Sequence, residues 1–307
     1  MKIRRGILSL ILGVLLVSVG QAEESTPLVV PTSTDSGNQQ FQGFDLAGYG
    51  ESGQKKWDIK GDSADIQGNT VGLTNINANS YGQEKVNLTA KNGTLDKASG
   101  NMHLENDVVV TSETGAQLMT DSLDWHKEKD LVTTDDSVFL SKEGMTATGT
   151  GAVVHPTKNA AQINRNVVVN VNTDPKASPA HIVTITSDGP MEVEYAKGQA
   201  IFRDNVVAVD GDRKIMGDKV TVLVDPKTNQ IQEMICEGHV SIVQGENVAH
   251  AEKAVYKSGE QKLTLSGRPK LVFYTQNDSD GLFDNKSGSL FANSGSSTDH
   301  ESPTTNH

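Results

Sequence analysis

The chain has 307 residues, 35% of them hydrophobic and 5% aromatic, and 39 acidic residues against 27 basic ones give a formal net charge of −12. Binding a phosphate backbone needs a basic surface, so this balance argues against a nucleic-acid binder. The single Cys, Cys236, excludes an internal disulfide framework and a Cys-based zinc site. Val occurs 31 times, Gly 29, Thr 26 and Asn 21, a mixture that favours strands and turns over helices.

Residues 1–22 read as an export leader. Lys2, Arg4 and Arg5 open it, Ile7 to Val19 form an apolar run of 13 residues, and Gly20-Gln21-Ala22 supplies small residues for cleavage. The run is short beside the roughly 20 residues of a membrane span. The expectation is an exported chain whose leader is a cleaved signal sequence or an N-terminal inner-membrane anchor. Without the three leader cations, 24 basic residues face 39 acids and the net charge is −15. Residues 23–52 are rich in Ser, Thr, Gly, Gln and Pro and read as a flexible linker.

From residue 53 the pattern changes to short runs of four to eight β-branched residues between Gly, Asn and Asp turns. A polar residue followed by Val opens a strand in Asp107-Val108, Ser137-Val138, Asn166-Val167, Asn205-Val206 and His239-Val240. The Val positions lie 30, 29, 39 and 34 residues apart, a period that marks a repeating architecture. Each period reads as two or three short antiparallel strands. One unit cannot bury its apolar face alone, so stacked units share a two-walled core. The fold class is all-β: an elongated β-jelly roll or taco-like antiparallel sandwich. Asp174 to Pro190, with three prolines, reads as a hinge loop between a first β segment, 53–173, and a second, 191–275. Residues 276–307 read as a disordered tail with two apolar spots, Leu282-Phe283 and Leu290-Phe291.

Chemistry-bearing motifs are scarce. The sequence has no P-loop, no Gly-x-Ser-x-Gly elbow and no His-Glu-x-x-His. The eight His residues have no ligand spacing, so neither an enzyme nor a cofactor is expected. Cys236 reads as a buried inert thiol and Asp210-Gly211-Asp212 as a hairpin turn. Asn277-Asp278-Ser279-Asp280-Gly281 lacks the downstream Glu of a calcium loop. Trp57 and Trp125 read as core or end-cap residues.

Two halves of the chain carry a family resemblance. Met191-Glu192-Val193-Glu194-Tyr195, Asn205 to Val209, Ile215-Met216-Gly217-Asp218-Lys219-Val220, Gly238-His239-Val240 and Ala251 to Tyr256 resemble the OstA-like domain of periplasmic lipopolysaccharide-transport bridge proteins. The run from Val86 to Asp96, then Leu104, Val108, Val110, Gly115, Leu118, Thr120 to Trp125 and Ala147 to Gly151, is similar to the inner-membrane-anchored component of the same machine. The resemblance implies a periplasmic jelly roll that shields lipid A acyl chains and joins like modules end to end through edge strands. The implied partners are lipopolysaccharide and other transport proteins, including an inner-membrane ABC transporter complex. Carrying both component types on one chain departs from the family's usual separate chains. The inward apolar wall that would meet acyl chains comprises Val108, Val110, Leu118, Leu123, Val138, Leu140, Val167, Val169, Val206, Ile215, Val220, Val240 and Ile242. The competing reading is a structural or adhesive exported β-solenoid whose apolar residues only close a core.

Overall fold

A computed structural model of the chain describes residues 39–273 apart from residues 51, 82–84, 143, 157, 175–180, 226–230 and 261. The leader, residues 23–38 of the expected linker and the tail from residue 276 lie outside the described residues. The first nine strands are β1 (Gln39–Tyr49), β2 (Lys55–Gln67), β3 (Thr70–Tyr81), β4 (Lys85–Asp96), β5 (Met102–Ser112), β6 (Gln117–His126), β7 (Leu131–Lys142), β8 (Met145–His155) and β9 (Ala160–Asp174). Eight follow: β10 (His181–Ser187), β11 (Met191–Glu194), β12 (Gln199–Asp210), β13 (Arg213–Val224), β14 (Ile231–Gln244), β15 (Asn247–Lys257), β16 (Lys262–Ser266) and β17 (Lys270–Val272). Two 3-10 turns, Lys127–Lys129 and Tyr195–Lys197, are the only helical pieces among the described residues.

All pairings are antiparallel, and they form one meander. Each strand from β1 to β9 pairs with the next. β10 and β11 then share one ladder position, since both lie between β9 and β12. The run continues through β13 and β14 to β15, whose far edge carries β16 and β17 in succession.

The polar–Val pairs that read as strand starts are bends inside long strands. The ladder register shifts between Glu105 and Val108, Thr134 and Ser137, Arg203 and Val206, and Glu237 and Val240. Asn106, Asp107, Asn166, Asp204, Asn205 and His239 adopt positive φ at these places, between 44° and 65°. Asn and Asp tolerate this conformation better than other non-glycine residues, so they give the same sequence signal in a bend as in a turn. The strands are therefore longer than the expected four to eight residues, and one repeat period is a hairpin of two bent strands. Asp210-Gly211-Asp212 does form the β12–β13 turn, with Gly211 at φ 59°.

Bending folds the sheet onto itself. Val108, Ile163, Val169, Met191, Ala200 and Val206 are all at 0% exposure in one apolar cluster that runs from Ile59 to Tyr256. No α-helix or second sheet exists among the described residues to cover that face. The two halves of each long strand, one on either side of the bend, and the β10/β11 and β16/β17 pairs thus form two walls that cover each other.

Two regions differ from the sequence expectation. The expected linker contains β1, which pairs with β2 over ten positions. Ladder hydrogen bonds to a ready edge form this strand with little apolar burial; Phe41, Leu46 and Tyr49 remain exposed. The expected hinge contains β10. Its break before β11 is hydrogen-bonded on both sides: Asn166 N donates to Asp188 O at 3.0 Å, Asp188 N to Asp204 O at 2.9 Å, and Gly189 N to Arg203 O at 3.2 Å. Pro190, which has no N–H to give, accepts from Arg203 N at 3.1 Å. This position is a bend like the others; of the hinge residues, 175–180 lie outside the description.

Candidate functional site

The space between the walls is the only extended apolar interior among the described residues, and alternation builds it. Residues paired across a ladder share a face, so one buried position fixes a whole cross-strand row. On the first wall, Val110 pairs with Leu118, Leu118 with Leu140, Leu140 with Ala147 and Ala147 with Val169. The row continues from Val169 to Ile185, Ala208, Ile215, Ile242 and Ala249. On the second wall, Val154, Ala161, Val193, Ala200, Val222, Met234 and Tyr256 pair in the same way, all buried.

Twelve of the thirteen wall residues expected from sequence are buried, from Val108 at 0% to Leu118 at 7% exposure. Ile242 is half-buried against the same cluster. Eleven lie on the first wall; Leu123 and Val220 lie on the second, beyond the bends of β6 and β13. The second wall was largely missed. Leu104, Ile163, Met191, Val193 and Phe202 are among its most buried side chains. Their signal was present: the alternation of β5 and β12 runs back through the polar bend, as in Ala200-x-Phe202 before Asp204-Asn205.

Charged groups mostly decorate the outside. Arg203 donates from Nε and Nη2 to the two carboxylate oxygens of Glu192, each at 3.1 Å. Across β13–β14–β15, Glu237 accepts from Lys253 at 2.9 Å and Lys219 at 3.2 Å, and these bonds hold its carboxyl below the usual range. Asp58 accepts from Asn79 and Tyr81 at 2.8 Å and from Lys55 at 3.0 Å; the Asn79 bond leads in lowering its pKa to about 2. Cys236 lies in the interior, and burial pushes its thiol up to about 12, so it has no nucleophilic form at neutral pH. Between the walls the interior is a continuous apolar cluster from Ile59 to Tyr256. Trp57 packs against this core from the β1 end.

A family model described as lipopolysaccharide-assembly, LptC-related, matches residues 6–184. A second, described as LptA/(LptD N-terminal domain) LPS transport protein, matches residues 184–282. No curated protein matches the chain. The two matched segments meet at Thr184, inside β10, where the ladder passes from β9 to β12 without a gap. The first match spans more than half of the chain, and the chain belongs to the lipopolysaccharide-assembly, LptC-related family, with an LptA-like segment continuing its sheet.

Proposed function

We propose that this protein is a non-enzymatic periplasmic segment of a lipopolysaccharide-transport bridge, which shields acyl chains between its two walls and passes them along the sheet. The observation that carries this reading is the unbroken apolar cluster from Ile59 to Tyr256, which crosses the boundary between the two family matches. Burying a methylene gains about 0.8 kcal/mol, so several acyl chains bind such an interior without polar contacts, provided that the walls part. The chain shows no nucleotide motif, so direction comes from a partner such as an inner-membrane ABC transporter. End-to-end joining is supported by the two ladder edges that are unpaired among the described residues, β1 and β16–β17, where Phe41, Leu46, Tyr49, Leu271 and Val272 are exposed.

Photo-crosslinkers placed in cells at the inward positions Val110, Ile215 and Val240 test the reading. Capture of lipopolysaccharide there, and not at the outward neighbours Val109, Met216 and Ser241, is the expected result. Capture at outward positions alone, with normal outer-membrane lipid after depletion of the protein, would favour the structural solenoid.

A further inference from the structure

One lip of the interior is formed by the strand ends of the first wall, and its inward row can be followed by register. Lys142 faces Met145, Met145 faces Val171, Val171 faces Val183, Val183 faces Asp210, and Asp210 faces Arg213. The apolar members of this row are inward, since Met145 and Val171 belong to the buried cluster. Lys142 and Arg213 are thus inward cations at the mouth. On the second wall, the row through Val154, Ala161, Val193 and Val222 is apolar and buried.

Arg213 is not placed as a surface charge. Its side chain is 15% exposed, and Nη2 lies 3.5 Å from Oδ2 of Asp210, which is 1% exposed. An ion pair drawn into an apolar wall gains little stability over apolar residues of similar size, so its presence calls for another reason. A guanidinium is a planar fork with five donors; a carboxylate along one side leaves further donors for a second anion. Lys142 is half-buried. Five ladder steps separate the two cations, about 24 Å at the usual strand spacing. One falls in each family match.

We propose that the lip carrying Lys142 and Arg213 is where the anionic, phosphorylated headgroup of the transported amphiphile lies, with one cation station in each half and Asp210 positioning Arg213. The acyl chains lie behind this lip, between the two walls. This assignment rests on the acyl-chain reading above.

The test measures binding of the full-length protein to diphosphorylated lipid A, to the same lipid after enzymatic dephosphorylation, and to inorganic phosphate. Lys142→Gln and Arg213→Gln are each expected to weaken binding of the phosphorylated lipid about fivefold, the scale of a charge-assisted contact at a partly wet mouth. Binding of the dephosphorylated lipid is expected to stay unchanged. Arg213→Lys keeps the charge without the guanidinium fork and is expected to restore only part of the affinity. Lys91→Gln, on the outer side at the bend of β4, is the control. Circular dichroism and the independent Lys142 variant guard against misfolding of the Arg213 variant.

Equal losses for both lipids, or a loss in the Lys91 control as large as at the lip, would overturn the headgroup assignment. Competition by millimolar inorganic phosphate would mark a free-phosphate site and overturn it as well. If wild-type protein binds neither lipid, the acyl-chain reading itself fails. If it binds both and the lip variants change nothing, only the headgroup assignment fails.

Discussion

Gly217 and Cys236 meet on adjacent strands, β13 and β14, so closely that a Cβ on Gly217 would lie 2.4 Å from the Cys236 Sγ. The Gly238 and Glu237 carbonyl oxygens stand at 3.3 and 3.4 Å from the same point and block an easy shift. Gly217→Ala is expected to lower stability by about 1–3 kcal/mol through overpacking. Adding Cys236→Ala should recover part of that loss. Chemical denaturation of the single and double variants measures the coupling, and an unaffected single variant would contradict the close fit.

Asn166 tests the bends. It sits at φ 54° with its backbone N–H bonded to Asp188 O. Asn166→Val forces a β-branched residue into the left-handed region and is expected to cost about 1–2 kcal/mol. Asn166→Gly is expected to stay within a few tenths of a kcal/mol of wild type. Equal melting temperatures for the two variants would mean that the bend imposes no backbone requirement.

Asp58 gives the fold a defined acid sensitivity. Its side chain is 4% exposed, and its folded pKa of about 2 lies below the unfolded carboxylate value of about 4. A depressed pKa contributes stability that is present in full above about pH 4 and is lost as pH falls through about 2. Asp58→Asn is therefore expected to destabilise at pH 7 by about 1 kcal/mol, allowing for screening at the sheet surface. The gap to wild type is expected to narrow from about pH 4 downward. Urea titrations at several pH values check this, and a constant gap would remove Asp58 from the account.

Continuity across Thr184 is open to a stability test. Leu104→Ala in the first half and Phe202→Ala in the second each remove a side chain at 1% exposure, with expected losses of about 2–5 and 3–5 kcal/mol. In one cooperative sheet, both substitutions shift a single unfolding transition. Two transitions, each answering to one substitution, would show that the halves fold apart.

Cys236 is expected to resist a thiol reagent at pH 8 in the folded protein and to react once the protein is unfolded. Fast labelling of the native chain would contradict its burial.

How much of this was legible in the sequence follows from what each residue signals. Val108, Val138, Val167, Val206 and Val240 mark the first wall because each follows a polar residue and starts an alternation. Leu104 and Phe202 belong to the same strands but precede the bend, so a pattern broken at Asn106-Asp107 or Asp204-Asn205 hides them. Turn-forming residues report left-handed backbone, and that conformation occurs both where a strand ends and where it bends. β1 was illegible for another reason: its strand state comes from β2's open edge, and its own alternation is weak. The chemistry of the lip needs register, which no single strand reports: Lys142 and Arg213 share a row only through the four strands between them.

A meander whose long strands bend at a similar place is also a ruler. Counting β10 with β11 and β16 with β17, the described strands occupy 15 ladder positions. At about 4.8 Å per step, the covalent sheet spans roughly 65–70 Å from β1 to β17. That reach is set in steps by strand number, so inserting one more bent hairpin lengthens it by about 10 Å and leaves the cross-section unchanged.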